Sequence, residues 1–307
     1  MPKKRRSSTP GIVVKRRNSS RFKLGRPRGV NALEQLVGAA SLAGGHPRVL
    51  VIVAHPDDEA IGAGALLGEL EDSLVVHATD GAPRDARALR RRGFTNRDAY
   101  AEARRAEVVR ALAIAGIDES RIRCLGFVDG ELTYRLVELC HDVIDLLLEH
   151  DPDLVLTHPY EGGHTDHDAV AFAAHLACGI LRREGVPTPV LLEFTSYHNR
   201  NGKRVRARFI KRPNVPVCEV GLTPDSQMLK LRMFEQFVSQ RECLAQFPVV
   251  VERFRLAPRY AFTAPPHEGE LDYERYCSII CGEEWRARAA AALDQLRSRH
   301  RADPTPE

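Results

Sequence analysis

Histidine and carboxylate side chains crowd together at two places in this chain of 307 residues. The first place holds His55, Asp57, Asp58 and Glu59, directly after the apolar run 49–53. Acids are also common in the first turn of a helix, and we favour that simple role for Glu59. Several acids beside an imidazole and an apolar strand nevertheless repel one another unless a cation lies among them. The cluster therefore predicts a metal site.

The second place follows the apolar run 154–157 and contains His158, His164, Asp166 and His167. An unbroken apolar run is typical of a buried parallel strand. Ligands of open α/β sheets collect at the carboxyl ends of such strands, so both clusters are expected to face one crevice. His158 lies at a strand end, and either a structural or a functional role fits it.

Three side chains fit the coordination of a catalytic metal. Zinc in hydrolases usually keeps three protein ligands and leaves a fourth position for water, and His55, Asp58 and His167 match that number. His55 and Asp58 stand three residues apart across a strand-to-helix bend, which lets both reach one point. The same donors would admit Fe²⁺ or Co²⁺, so zinc is favoured without being fixed.

The remaining polar groups suit proton transfer. Asp57 adjoins a predicted ligand but points elsewhere, so we predict that it is the general base that takes a proton from the attacking water. His164 could as an imidazolium stabilise a developing oxyanion or protonate the leaving amine. Asp166 or Asp168 could orient His164.

Apolar and amphipathic segments alternate in the order of a mostly parallel sheet with helices on both faces, which predicts an α/β fold. The predicted strands are 48–54, 73–78, 121–127, 154–158, 190–195 and 217–220. The predicted helices are 32–43, 58–71, 98–115, 133–149, 168–184, 224–246 and 283–300. The segment 81–95 is rich in Arg and lacks periodicity, so we expect a mobile loop near the crevice.

The composition, 43% hydrophobic, suits one folded domain, which we expect to span residues 31–300 before a flexible end at 301–307. No apolar window reaches the roughly 18 residues of a membrane span, and the N-terminus lacks the apolar part of a secretory signal. A cytoplasmic protein is therefore expected. Seven scattered cysteines without a Cys-x-x-Cys pair indicate neither a disulfide framework nor a thiolate zinc site.

Residues 1–30 form a basic tail with eleven Lys or Arg and no acid, whereas the rest of the chain has more acids than bases. Such a segment has too little apolar surface to fold alone, so we predict disorder. It could bind nucleic acid or an anionic surface, although a solvated extension without a partner is the simpler interpretation.

The stretches 55–59 and 164–167 resemble the two signatures of the PIG-L (LmbE-like) zinc deacetylases. The resemblance runs through roughly residues 48–275 and includes Thr79-Asp80-Gly81, Arg104-x-x-Glu107, Gly126-x-x-Asp129-Gly130 and Ser239-Gln240. It implies a Rossmann-like α/β fold and removal of an N-acetyl group, commonly from an N-acetylglucosamine unit, to give acetate and a free amine.

The resemblance also implies roles for individual residues. It assigns zinc binding to His55, Asp58 and His167, the base to Asp57, and stabilisation of the tetrahedral intermediate to His164 with Asp166 behind it. Arg104 and Asp129 match positions near the sugar pocket.

Two departures affect the second signature. Thr165 stands where the family usually has proline, and Gly162 stands where some sugar deacetylases have a tyrosine. The oxyanion partner would then come from elsewhere, with Tyr160 or His198 as candidates. Zinc-dependent deacetylation of an amino sugar or glycoconjugate is therefore the leading hypothesis. Hydrolysis of another amide or ester, or polyanion binding through the basic tail, are the alternatives.

Overall fold

The computed structural model describes residues 47–276 and 280–301 of the chain. The predicted basic tail, the helix 32–43 and the end 302–307 lie outside these residues, and the domain boundaries at 31 and 300 stay a prediction. Among the described residues, no helix is both long and apolar enough to cross a membrane.

Strands and helices alternate through most of the chain. The strands are β1 (Val49–Val53), β2 (Ser73–Pro83), β3 (Ile122–Asp129), β4 (Leu154–Thr157), β5 (Val190–Phe194), β6 (Tyr197–Arg200), β7 (Lys203–Arg206), β8 (Cys218–Gly221) and β9 (Val251–Leu256). The α-helices are α1 (Asp58–Leu67), α2 (Ala86–Arg91), α3 (Arg97–Ile114), α4 (Leu136–His150), α5 (Thr165–Arg183), α6 (Pro224–Gln236), α7 (Arg241–Leu244), α8 (Asp272–Tyr276) and α9 (Gly282–Arg301).

Seven strands form one sheet in the order β3-β2-β1-β4-β5-β9-β8. The first five strands of this order run parallel, and β9 and β8 add antiparallel pairs at one side. β1 pairs with β2 on one side and with β4 on the other, so the connections leave β1 in two directions. The carboxyl edge between β1 and β4 is therefore the crevice where ligands bind in such sheets.

The side chains of β1 show why helices cover both faces. Leu50 and Ile52 pack into a core with α4, α5 and α9, whereas Val49, Val51 and Val53 pack into a second core with α1, α3 and α6. Alternate residues of a strand point to opposite faces, so an apolar run predicts a strand that is buried on both sides. The predicted α/β fold with a mostly parallel sheet is confirmed.

Three predicted segments were wrong in detail. The segment 81–95 is not one loop, because β2 continues to Pro83 and α2 follows it. The predicted helix 224–246 ends at Gln236, and a 3₁₀ turn at 238–240 separates it from α7. The helix after the second signature begins at Thr165 rather than at residue 168, because His164 caps its first turn.

A buried ion pair joins α1 to α6 and β9. α1 leaves helical geometry at Ala63, and the carboxylate of Glu252 accepts hydrogen bonds from the backbone N–H groups of Ala65 and Leu66 just after that kink. The Lys230 ammonium donates to Glu252 over 2.8 Å and to the carbonyl oxygen of Ile61. Glu252 thus satisfies donors that a straight helix would satisfy itself.

Removing the cation of this pair should destabilise the protein. Lys230→Met leaves the charge of Glu252 buried without its partner, so we expect a loss of roughly 3–5 kcal/mol in the free energy of unfolding. Adding Glu252→Gln should recover much of that loss, because the buried charge is then gone. Chemical denaturation measures both, with the exposed Lys203→Met as the control for loss of a lysine. Equal stability of Lys230→Met and Lys203→Met would contradict this role.

Candidate metal centre

Four strand ends of the sheet bring predicted site residues, together with Ser196, to one edge. His55 follows β1, Asp129 ends β3, His158 follows β4, and Ser196 follows β5. Backbone hydrogen bonds fix this edge, since Thr79 of β2 donates to the carbonyl oxygen of Ala54 over 2.9 Å. The two clusters of the sequence therefore meet, as expected.

The three predicted metal ligands lie together. His55 Nδ1 is 3.2 Å from one carboxylate oxygen of Asp58, and His167 Nε2 is 3.2 Å from the other. The rings of His55 and His167 have centroids 5.3 Å apart. All three side chains are buried, and the carboxylate of Asp58 accepts a hydrogen bond from the backbone N–H of His55.

The pKa values of this group favour an ionised Asp58 and a neutral His167, whereas they favour a proton on His55. Burial alone would raise the pKa of Asp58, but the neighbouring His167 and His158 hold it well below its usual range. Burial lowers the pKa of His167 to about 4, so its ring is neutral at pH 7 and keeps a lone pair. The pKa of His55 is raised well above its usual range, against the effect of burial, by Asp129, Asp166 and Asp58.

Two further acids contact the far side of His55. Its Nε2 lies 3.1 Å from Asp129 Oδ1 and 3.2 Å from Asp166 Oδ2. Asp166 also accepts hydrogen bonds from the backbone N–H groups of Gly130 and Leu132. The side chain of Asp166 contacts His55, and that of Asp168 accepts from the loop 161–162, whereas the backbone N–H of Asp166 donates to His164. The roles expected of these two acids toward His164 stay predictions. Asp129 lies against His55 with 20% of its side chain exposed, and its contact with a sugar stays a prediction as well.

Asp57 adopts an unusual backbone conformation next to this group. Its φ of 150° lies in a region that side chains other than glycine rarely adopt, and such strain is concentrated at functional sites. Its carboxylate is 3.2 Å from the guanidinium of Arg104. Burial is the main cause that raises the pKa of Asp57 to about 7, and the Arg104 charge opposes it. This carboxyl group can thus hold or release a proton near neutral pH.

Arg104, which the resemblance places near the sugar pocket, has a side chain that is 4% exposed, and its contact with a sugar stays a prediction. Besides Asp57, the guanidinium donates to the carbonyl oxygens of Pro56 and Gly81. Arg104 therefore fixes the loop after β1 and the orientation of Asp57. Its Nε has no acceptor among the described residues, so the guanidinium keeps unused N–H donors.

Glu59 does more than begin a helix. Its Oε2 accepts a hydrogen bond from the backbone N–H of Asp57 and lies 3.1 Å from Nε2 of His77, and both side chains are fully buried. This pair joins β2 to the strained residue, so Glu59 and His77 support the conformation of Asp57. The sequence pattern gave no sign of it, because the two residues are 18 positions apart.

His164 is the most accessible histidine of the group, since it is half-buried while His55 and His167 are buried. Its Nδ1 accepts a hydrogen bond from the backbone N–H of Asp166, which places its proton on Nε2. Burial is the main cause that lowers the pKa of His164 to about 4. A lowered pKa favours a neutral ring that donates through Nε2–H, and the catalytic role of His164 stays a prediction.

Three further ring side chains lie at or near the site, namely Tyr160, His158 and Tyr197. Tyr160 was a candidate oxyanion partner, but its hydroxyl donates to the carbonyl oxygen of Ala264 and its ring packs on Trp285 in the core. His158 stacks on His167 at 4.0 Å and its Nε2 lies 3.3 Å from Asp58. Tyr197, which the sequence did not single out, meets the edge of His167 with ring centroids 5.5 Å apart.

The donor set fits a divalent metal. Ligands of a tetrahedral zinc ion at about 2.0–2.2 Å lie roughly 3.3 Å from one another. The 3.2 Å separations of Asp58 from His55 and from His167 match that value. The carboxylates on Nε2 of His55 are the outer partners that metal-binding histidines have. Three groups of donors lie within 4.8 Å of one another among the described residues, and the predicted ligands are shared between them: Asp58, His158 and His167; His55, His164 and His167; and His55, Asp129 and Asp166.

The sequence matches one family model and two curated relatives. The model of the PIG-L family, described as GlcNAc-PI de-N-acetylase, matches residues 50–178. A Bacillus subtilis protein named probable N-acetyl-alpha-D-glucosaminyl L-malate deacetylase 2 is 30% identical over 151 residues, which are 48% of this chain and 67% of that protein. The Bacillus cereus protein of the same name is 32% identical over 143 residues, 45% of this chain and 64% of that protein.

Solved structures share the fold at low identity. The zinc-inhibited form of the teicoplanin deacetylase Orf2 has a TM-score of 0.53 and 19% identity, covering 70% of this chain and 99% of that chain. The N,N'-diacetylchitobiose deacetylase from Pyrococcus horikoshii has a TM-score of 0.51 and 21% identity, covering 77% and 95%. The chain spans about two thirds of the length of the curated relatives it matches. With both signatures assembled at one sheet edge, and with these matches, the chain belongs to the PIG-L family.

Proposed function

We propose that this protein is a metal-dependent hydrolase that removes the N-acetyl group from an N-acetylated amino sugar or glycoconjugate. The observation that carries the proposal is the group formed by His55, Asp58 and His167, with the carboxylate of Asp57 beside it. The two Bacillus relatives are named as deacetylases of an N-acetylglucosaminyl malate compound, which supports this substrate class.

His55, Asp58 and His167 would hold the metal, through Nδ1, the carboxylate and Nε2. When bound, such an ion polarises the acetyl carbonyl and makes a water molecule more acidic. Zinc is the leading candidate, with Fe²⁺ or Co²⁺ as alternatives. One deacetylase of similar fold was solved in a zinc-inhibited form, which means that zinc can also inhibit such an enzyme. Both the identity of the bound metal and its stoichiometry are therefore measured.

The residues of the chain supply the proton transfers. Asp57, with a pKa of about 7, would accept the proton of the attacking water, while Arg104 holds the carboxylate in place. Nε2–H of His164 would donate to the oxygen that becomes negative in the tetrahedral intermediate. The proton taken by Asp57 is then available for the leaving amine.

Asp129 and Asp166 would act through His55. Each accepts from Nε2, so the other ring nitrogen is directed to the metal. The side chain of Asp129 keeps 20% of its surface exposed and lies at the mouth of the site, so a substrate hydroxyl could also reach it.

The role of Asp57 can be tested by removing its charge. Asp57→Asn keeps the size of the side chain but cannot accept a proton, so kcat should fall about 100- to 10,000-fold. Deacetylation is measured as acetate release from N-acetylglucosamine compounds, and metal content by mass spectrometry. The exposed Asp145→Asn is the matched control and should keep full activity. An Asp57→Asn enzyme with unchanged kcat would contradict the role of Asp57 as the general base.

The metal site can be tested without turnover. After treatment with a chelator, the protein should rebind about one equivalent of zinc. Zinc at about 100 times its dissociation constant contributes about 2.7 kcal/mol, which raises Tm by about 5 °C.

His167→Ala should lose both the stoichiometric zinc and the rise in Tm, because one of three ligands is gone. His141→Ala, on α4 and outside the site, should keep both. If His167→Ala bound zinc as tightly as the parent protein, the ligand assignment would be refuted.

A further inference from the structure

The loop 158–164 joins β4 to α5 and carries His164, and hydrogen bonds fix its backbone. The backbone N–H groups of Glu161 and Gly162 donate to Asp168 Oδ1 over 3.2 and 3.1 Å. The carbonyl oxygen of Gly162 accepts a hydrogen bond from the backbone N–H of Asp272 over 2.9 Å. The loop is therefore attached both to α5 and to the segment that begins α8.

The next residue, Gly163, leaves no room for a side chain. A Cβ atom at this position would lie 2.1 Å from the carbonyl oxygen of Tyr197, which is far inside van der Waals contact. Closely packed interiors transmit a displacement from one residue to the next. A shift at Glu161 would therefore reach His164, three positions further along the chain.

The side chain of Glu161 anchors this loop to the antiparallel side of the sheet. Glu161 is buried, and its Oε1 accepts hydrogen bonds from Arg255 Nη2 and from the backbone N–H of Ile210, each over 2.9 Å. Arg255 belongs to β9 and lies outside residues 50–178, which the family model matches. The anchor thus comes from a part of the chain that neither signature covers.

The buried guanidinium of Arg255 is itself held in one orientation. Its Nε donates to Glu193 Oε2 over 2.7 Å, and its Nη1 donates to the carbonyl oxygen of Ile210 over 3.1 Å. Its Cζ lies 4.0 Å from the ring centroid of Phe209. A planar guanidinium whose donors are fixed on several sides presents the remaining Nη2–H to Glu161 with a defined geometry.

Two buried carboxylates share this guanidinium. Burial is the main cause that raises the pKa of Glu161 to about 7, Glu193 acts in the same direction, and Arg255 acts against them. A glutamine at position 161 therefore resembles the protonated form of this side chain, and it keeps an oxygen acceptor. A methionine has a similar size but no such acceptor, so the two substitutions separate the hydrogen bonds from the volume.

The residue at the end of the loop lies against the metal-binding group. The ring centroid of His164 is 4.7 Å from that of His55 and 5.3 Å from that of His167. A catalytic group that is misplaced by about 1 Å can cost about 100-fold in rate. The anchor of the loop can therefore affect turnover without contacting the metal ligands.

We propose that Arg255 and Glu161 form a clamp that positions His164 for deacetylation. The inference rests on the proposed function and adds two positioning residues from outside the signatures. Both act through the backbone of the loop 161–164, because Arg255 holds Glu161 and the packed loop carries that restraint to His164.

Kinetics separate a positioning role from a merely structural one. Glu161→Met removes the acceptor of the clamp, so kcat should fall about 100-fold while KM and zinc content change by less than about twofold. Glu161→Gln keeps the acceptor and should retain kcat. Lys230→Met, which also breaks a buried ion pair, is the control for lost stability and should retain kcat as well. Equal losses of kcat in Glu161→Met and Lys230→Met would overturn the proposal.

Combination with His164→Ala tests the route of the effect. His164→Ala alone should lower kcat about 100- to 1,000-fold, as loss of an oxyanion donor does. If Glu161 acts through His164, adding Glu161→Met should lower kcat by less than about twofold more, because the positioned group is already gone. Two losses that multiply in full would overturn the proposal.

Arg255→Lys is the second variant should Glu161→Met fail to fold. It keeps the buried charge but loses the planar fork, so kcat should fall about tenfold. An Arg255→Lys enzyme with the kcat of the parent would overturn the clamp.

Crystal structures of the variants test the clamp apart from catalysis. In Glu161→Met, the loop 161–164 should shift by about 1 Å from its position in the parent protein, and in Glu161→Gln it should stay in place. An unchanged loop in Glu161→Met would overturn the proposal. If the parent protein releases no acetate, the proposed function fails, and these structures still decide whether the clamp positions His164.

Discussion

The carboxylate of Asp58 is the contact on which the arrangement of this site depends. One of its oxygens meets His55 and the other meets His167, each over 3.2 Å, and these residues come from segments more than a hundred positions apart. The strand order places β1 beside β4, so the two segments can meet only at the carboxyl edge of the sheet. The strand order therefore determines which metal donors can meet, since neither cluster alone supplies three converging donors.

The surrounding structure controls the orientation of each charged group. Asp129 and Asp166 fix His55, Arg104 fixes Asp57, and Glu59 holds the backbone of Asp57 in a strained conformation. These groups are buried except for the half-buried Asp129, and each acid is close to a cation, an imidazole or a backbone donor. Such pre-organisation lets Asp57 remain titratable near neutral pH while Asp58 stays ionised.

Much of this could be predicted from the sequence, and the reasons are physical. Buried parallel strands are apolar without interruption, so β1 and β4 and the clusters after them were evident. The spacing of His55 and Asp58 follows from a local bend, which is a short-range property. The contacts of Asp166 with His55 and of Arg104 with Pro56 were not predicted, because they join residues 111 and 48 positions apart. The sequence does not encode those contacts as a pattern. The Glu59–His77 pair was missed for the same reason.

Anomalous X-ray diffraction at the zinc absorption edge, on crystals grown with zinc, tests the central claim most directly. We expect one strong peak of anomalous density at about 2.0–2.2 Å from His55 Nδ1, from an oxygen of Asp58 and from His167 Nε2, with Asp57 outside bonding distance. A peak bound by His158 or Asp129 in place of His55, or the lack of any peak among these side chains, would contradict it.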